Sequence, residues 1–450
     1  MPKRINSTVP VILTMTCLFS FSALAALPTP SQQNQGIKDP GVQNGQARAG
    51  GALPGLNPLE MKFFSSSRER FQNIDAVQNG LGPRYNGTGC TTCHAWPSVG
   101  GSSPTHNPQI AMATANGAKN SIPSFINLNG PVRVARFVKN PDGTADGGVH
   151  DLFVISGRSD APGCKITQPN FDAQLANNNI VFRIPTPVYG LGLVENVSEQ
   201  TLNNVLASNA PLKAQLGIRG HFNVNGNDGT ITRFGWKAQN KSLLMFAGEA
   251  YNVETGATND LFPNERETDP NCQFNHQHPE DTTDLSGINN SGSPASDYSS
   301  DIVNFAAFSR LSAAPQPASP TNDSTHGKAV FNSIGCQLCH TPTLVTDKST
   351  YTAQNNVSFN PYSDFAVHAM GSGLADGVTQ GTANGQEFRT APLWGVGQRL
   401  FFMHDGRTTD LIQAISQHAS PGSEANAVIQ NFKSLTPQDQ QSLLVFLRSL

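Results

Sequence analysis

Two pentapeptides, Cys90-Thr91-Thr92-Cys93-His94 and Cys336-Gln337-Leu338-Cys339-His340, place the pattern Cys-x-x-Cys-His twice in one chain of 450 residues. That spacing suits c-type haem attachment: two thiols bond the two vinyl groups of one haem, and the adjacent imidazole takes the iron. A redox cysteine pair or half of a zinc site leaves the histidine after both pairs unexplained. A fold for this sequence must therefore wrap two large apolar discs, with Cys90, Cys93, Cys336 and Cys339 as attachment points and His94 and His340 as proximal ligands.

The N-terminus agrees with that chemistry. Lys3 and Arg4 precede an apolar run interrupted by Thr14, Thr16, Ser20 and Ser22, and Ala23-Leu24-Ala25 is a small-residue cleavage pattern. Residues 1–25 read as a signal peptide, too short and too polar for a retained anchor, so the expected compartment is a bacterial-type periplasm with no membrane span after processing. Of the seven cysteines, Cys17 leaves with that segment and four belong to the motifs. Cys164 and Cys272 remain, able to form one disulfide or to stay as two separate buried thiols.

Net charge is −3 with the signs mixed, which leaves no basic stripe for nucleic acid. Only 14% of residues are charged, while Gly (41) and Pro (31) abound, as expected of a loop-rich body whose buried apolar surface comes partly from the discs. The chain is longer than one core normally holds. Residues 26–58 lack periodicity and read as a flexible arm, 59–312 as an enlarged N-terminal haem domain, 313–324 (rich in Pro and Ala) as a linker, and 325–450 as a C-terminal cytochrome c domain. The expected class is mainly α and loop-rich: two cytochrome c-like domains, the first enlarged by insertions with a few short strands. The clearest local expectation is a terminal helix opened by Thr436 as N-cap and Pro437 at the first position.

An internal duplication shows in the sequence: Phe182-Arg183-Ile184-Pro185-Thr186-Pro187-Val188-Tyr189-Gly190-Leu191-Gly192 echoes Phe388-Arg389-Thr390-Ala391-Pro392-Leu393-Trp394-Gly395-Val396-Gly397, each copy following one haem motif. Arg183 and Arg389 suit haem propionates, since guanidinium binds carboxylate in a bidentate way; an Arg in an ordinary strand-turn is the plainer alternative. Laying the segment that ends at Tyr251 over the segment that ends at Ala419 sets Ala250 opposite His418.

Both motifs, the 183–195 segment, Arg233-Phe234-Gly235-Trp236-Lys237-Ala238, Tyr362-Ser363-Asp364-Phe365, and Phe402-Met403-His404-Asp405-Gly406-Arg407 with Ala414, Ile415 and His418 together resemble the di-haem c-type oxidoreductases, distant relatives of di-haem cytochrome c peroxidases and MauG-type enzymes. The resemblance covers most of the mature chain. It implies two covalently bound haem c groups, a C-terminal haem that receives electrons, and an N-terminal haem that reduces peroxide. It implies His418 as sixth ligand of the C-terminal iron, in place of the relatives' Met, with Met370, His368, Met403 and His404 as rivals. For the N-terminal iron it suggests a displaceable His106, with His150 and Met112 as rivals, or else a Tyr251-ligated or an open position, and Glu195 as the acid–base that assists O–O cleavage. Trp96 and Trp394 are candidate electron relays. The implied partners are a small redox protein as donor (a cytochrome c or a cupredoxin) and hydrogen peroxide or dioxygen. An electron carrier with both irons closed, or a MauG-like oxidase or oxygenase acting on an organic or protein substrate, are the alternatives. Relatives also hold one calcium ion; the 223–229 loop offers oxygens for it but only one carboxylate, Asp228, which favours a plain turn. His276-Gln277-His278 is a weak metal pattern.

Overall fold

A computed structural model describes residues 36–274, 280–283 and 299–450; the signal peptide and His276 and His278 lie outside the described residues. The described chain is loop-rich and mixed, 32% helix and 11% strand, so strand has a larger share than a mainly helical class implies. Residues Ile37–Leu450 form one compact unit.

Two pairs of crossed helices organise it. Helix Pro58–Phe71 starts at a capping box in which the Asn57 side chain accepts from Leu59 N and Glu60 N while Glu60 accepts from Asn57 N. It packs on helix Asp301–Leu311 through Phe71, whose ring centre lies 4.6 Å from that of Phe308 and 6.0 Å from that of Phe305. In the second pair, Asn322–Ser333 crosses Pro437–Ser449 with Phe331 and Phe446 5.4 Å apart. The terminal helix opens as expected, with Thr436 Oγ1 accepting from Asp439 N and Pro437 in the first turn. The second crossing is close because Gly327 lacks a side chain: a Cβ there would stand 1.9 Å from Ser442 O.

The duplication is a backbone fact. Arg183 ends strand Ile180–Arg183 and Arg389 ends strand Glu387–Arg389. After each, Gly190 (φ 74°) and Gly395 (φ 73°) turn left-handed, and then Gly192 and Gly397 each lie so close to a carbonyl, Arg310 O and Arg448 O, that a Cβ would come within 2.2 Å. Further on, bridges Phe234↔Asn240 and Phe402↔Thr408 close equivalent loops, with positive φ at Gly235 and Met403 and again at Ala238 and Gly406. Helices Leu243–Ala250 and Leu411–Ser416 then begin at equivalent N-caps, Ser242 and Asp410. This register sets Ala250 at the place of His418.

The first half carries the insertions. Strand Val134–Phe137 pairs antiparallel with Val149–His150 on one side and Ile180–Arg183 on the other, and Arg84–Tyr85 pairs with Phe153–Val154. Their core includes Cys164 and Cys272, which are joined as a disulfide across 108 residues.

The stretch expected as an arm is strapped down from Ile37 onward. Asp39 pairs with the buried Arg448 (2.6 Å), Gln43 N donates to Gly397 O (2.8 Å) and Leu53 N to Leu311 O (2.7 Å). The expected linker is tied as well, Ala313 N donating to Gly51 O and Ala318 N to Ser449 O. Main-chain bonding and one buried ion pair leave no hydrophobic period, which is why composition alone suggests mobility here. Gly327→Ala is expected to cost about 1–3 kcal/mol by overpacking the helix crossing, read as a lowered denaturation midpoint.

Candidate functional site

The second motif opens onto a mostly apolar cavity of about 1490 Å³, counting solvent at its mouth. Cys336, Cys339, His340 and His418 all line it. His340 Nδ1 donates to Tyr362 O (3.1 Å) and His418 Nδ1 donates to Ala414 O (2.8 Å), so each ring is left with an unprotonated Nε2. Burial, and then the neighbouring His418, pushes His340 down to about 4, and burial lowers His418. Both are neutral at pH 7, as a metal ligand must be. The two ring centres are 6.5 Å apart. Imidazole–metal bonds run about 2.0–2.1 Å, so rings on opposite sides of one ion stand roughly 6 Å apart. The pair therefore fits a single metal ion held from both faces.

The two rival histidines are otherwise engaged. His368 sits between Glu424 (2.8 Å) and Asp364 (3.1 Å). Burial opposes its charge, but Cys339 and Asp364 hold its pKa well above the usual imidazole value. His404 stacks on Phe388 at 4.3 Å. Met370 and Met403 line the cavity wall.

A smaller cavity of about 480 Å³ adjoins the first, with Trp236, Arg389 and Arg399 lining both. Its Pro187, Leu191 and Phe234 are the repeat counterparts of Pro392, Val396 and Phe402 in the larger one. Arg389 Nε donates to Gly235 O (2.8 Å) and Arg399 Nε to Phe401 O (3.1 Å), while Arg399 Nη2 is buried without a partner. Burial and then the charge of Arg399 push Arg389 down to about 10. Among the described residues neither guanidinium has a carboxylate partner. Two desolvated cations facing a void fit an anionic group from a ligand. Arg183, the repeat partner of Arg389, is instead bound to Asp376 (2.6 Å) and to Gln380, and Lys237 reaches the same Asp376 (3.1 Å).

At the first motif, His94 Nδ1 donates to Gly101 O (2.9 Å), and its ring meets Phe71 edge-on at 6.2 Å. Burial lowers its pKa. In the same half, helix Leu243–Ala250 ends in a methyl group where the repeat register of the second half has an imidazole, and the chain continues as one π-turn, Tyr251–Thr255. That turn carries Glu254, whose charge raises the thiol pKa of Cys93. Burial, then Asp151, pushes Glu254 up to about 7 against Arg136 and the 3.0 Å hydrogen bond donated by Asn86 Nδ2. Arg136 itself has a buried Nε without a partner.

Glu195 makes a two-point pair with Arg310 (2.6 and 3.0 Å) and accepts from Leu243 N (2.8 Å), so it anchors the start of helix Leu243–Ala250. His106 is exposed, bonded to Asn129 (3.0 Å). Trp96 Nε1 donates to Gln398 O, and Trp394 packs beside Phe359 at 5.9 Å. In the 223–229 loop Asp228 pairs with Lys241 and Thr230, a turn closed by the bridge Val224↔Ile231. Glu254, Arg399 and Trp236 are the residues sequence reasoning missed. For Glu254 the signal was present, since it follows the gap at Ala250 by about one helical turn.

A family model described as "Di-haem oxidoreductase, putative peroxidase" matches residues 135–450. The chain belongs to this family. It is accordingly an oxidoreductase of a family that carries two haems, and the first Cys-x-x-Cys-His lies upstream of the matched part. No match is found among the curated proteins. Among solved structures, hydrazine synthase of Kuenenia stuttgartiensis is similar at 11% identity over 96% of this chain and all of that one, with a TM-score of 0.34. A MauG-like protein associated with microbial copper homeostasis is similar at 18% identity over 57% of this chain and 90% of that one, with a TM-score of 0.28. Both superpositions are loose, and nothing below rests on them. Among the described residues no helix is long and apolar enough to cross a membrane.

Asp376→Asn would leave Arg183 and Lys237, both buried, without their shared anion. A loss of about 3–5 kcal/mol is expected, as for other broken buried pairs, and urea unfolding measures it.

Proposed function

We propose that the protein is a periplasmic di-haem peroxidase-type oxidoreductase built from two cytochrome c-like halves, with one iron closed by two histidines and the other open. The observation that carries this reading is the 6.5 Å facing pair His340 and His418 in one half and Ala250 at the equivalent place in the other. When bound, the two haems supply iron redox chemistry: two strong axial ligands suit electron transfer, while a free position admits peroxide or dioxygen.

In this reading Cys90, Cys93, Cys336 and Cys339 attach the haems covalently, and His94 and His340 hold the irons from the proximal side. Arg389 and Arg399 take propionates between the two cavities, which satisfies the charge they lack in the protein alone. Trp236 lies in the wall common to both and is the relay from the C-terminal to the N-terminal site. The donor of the first electron is a small redox protein. Glu254 is the acid–base group: its carboxylate takes the proton from the near peroxide oxygen and returns it to the far one, so that the departing oxygen leaves as water. Asn86 fixes one carboxylate oxygen, and burial sets the affinity for the proton near neutrality, where both directions of transfer are available. Glu195, bound to Arg310 and a helix start, is better placed to hold the helix that precedes this turn.

Low-temperature electron paramagnetic resonance of the oxidised protein is expected to give one low-spin and one high-spin ferric signal, with peroxide consuming only the latter. His418→Ala should turn the low-spin signal high-spin; two unchanged low-spin signals would point to an electron carrier. Glu254→Gln should lower turnover about 10²–10⁴-fold with haem content intact. Because the carboxylate must be ionised to accept the first proton, wild-type turnover should fall as pH drops through about 7, and Glu254→Gln should lose that limb.

A further inference from the structure

Tyr251 begins the turn that carries Glu254 and is 3% exposed. Its hydroxyl stands 3.0 Å from Asp75 Oδ2 and 3.0 Å from Asp301 Oδ2. A phenol has one proton to donate, so two carboxylates compete for it. Around the ring the only cation described is Arg70, which pairs with Asp301 and stands 3.8 Å from Asp75. Asp281 adds a third buried carboxylate, accepting from Ile302 N (3.0 Å) and Asp301 N at the start of helix Asp301–Leu311. Negative charge thus exceeds positive beside the phenol, which favours removal of an electron from it, and a base is already in hydrogen-bond contact to take the proton. Aromatic rings connect it to the first motif: Tyr251 to Phe305 at 5.0 Å, Phe305 to Phe71 at 6.0 Å, Phe71 to His94 at 6.2 Å. Cys90 packs on the same cluster.

The geometry points to Tyr251 as a redox-active residue that gives one electron to the N-terminal site, its proton passing to the Asp75 carboxylate. This rests on the reading of that site as open to peroxide. The step balances as follows. The phenol O–H bond breaks, an O–H bond forms on Asp75, and a neutral phenoxyl radical remains. Hydrogen peroxide is the oxidant: its reduction to two waters takes two electrons and two protons, of which Tyr251 supplies one electron and, in the fully oxidised protein, the iron of the same site would supply the other. Asp75 is suited to receive the proton, since burial, against Arg70 and the phenol, pushes it up to about 6. The site then stores an oxidising equivalent in the protein, away from the iron and shielded from water.

The test uses the full chain loaded with both haems, oxidised and mixed with one equivalent of hydrogen peroxide, then frozen for electron paramagnetic resonance. A narrow free-radical signal should appear as the high-spin ferric signal is consumed, and it should narrow further when the protein is grown on ring-deuterated tyrosine. Tyr251→Phe should abolish it with the haem content and high-spin signal retained. Because that variant leaves two carboxylates facing each other, labelling of the wild-type chain with 3-fluorotyrosine gives a second, non-disruptive reading: the radical's hyperfine pattern must change. A radical that survives Tyr251→Phe, or that tyrosine labelling does not alter, overturns the assignment. So does consumption of the high-spin signal with no radical formed, which leaves the peroxidase reading intact. A high-spin signal that peroxide does not touch overturns both.

Discussion

A backbone carbonyl behind each imidazole is the contact on which the candidate sites depend. Gly101 O, Tyr362 O and Ala414 O accept from the Nδ1 of His94, His340 and His418, fixing ring orientation and tautomer so that Nε2 is the free donor. The Ala414 carbonyl is local, one helical turn before His418, but the Tyr362 carbonyl is not. Tyr362 is 22 residues from His340, and the helix Leu411–Ser416 that precedes His418 starts at its Asp410 cap and packs through Leu411 and Ala414 into the core shared by Asn322–Ser333 and Pro437–Ser449. Packing of apolar helices thus holds a polar geometry to the tolerance that metal ligation demands.

The two halves use one backbone plan for different ends. Equivalent caps, bridges and left-handed turns position Ala250 and His418 alike, so in the proposed assignment the difference between a closed and an open metal position comes down to a side chain. The first half then continues as a π-turn, which brings Tyr251 and Glu254 into reach of the first motif, whereas after His418 the chain departs into a loop stabilised by Ser420 and Ser423. A π-turn inserts a residue relative to an α-helix and redirects the side chains that follow, a recurring device at functional sites.

Some of this was legible in the sequence because the signal was local. The two motifs, the terminal helix from Thr436 and the register of Ala250 on His418 rest on contiguous residues whose spacing has chemical meaning. The surplus cysteines, Cys164 and Cys272, did pair. What was not legible depends on distant partners. Glu195 reads as an acid–base candidate until Arg310 folds against it; Arg399 carries no local signal and comes beside Arg389 only in the fold; and the strap from Ile37 has no apolar period because its contacts are main-chain bonds and the Asp39–Arg448 pair. The choice between Glu195 and Glu254 needed burial and neighbours, which sequence separation does not encode.

Charge treatment at the junction of the two cavities supports the placement of the anionic groups. The protein neutralises Arg183 and Lys237 with its own Asp376, deep in the interior. It leaves Arg389, the repeat partner of Arg183, and the neighbouring Arg399 without a carboxylate, both pushed below the usual guanidinium range by burial. A fold able to supply a carboxylate at the first place and not at the second implies that the second anion arrives with a ligand. In the proposed assignment it is the haem propionates, and their position between two guanidiniums that line both cavities brings the polar edges of the two groups toward the same wall, where Trp236 stands. The arrangement that balances charge is then also the one that shortens the path for an electron.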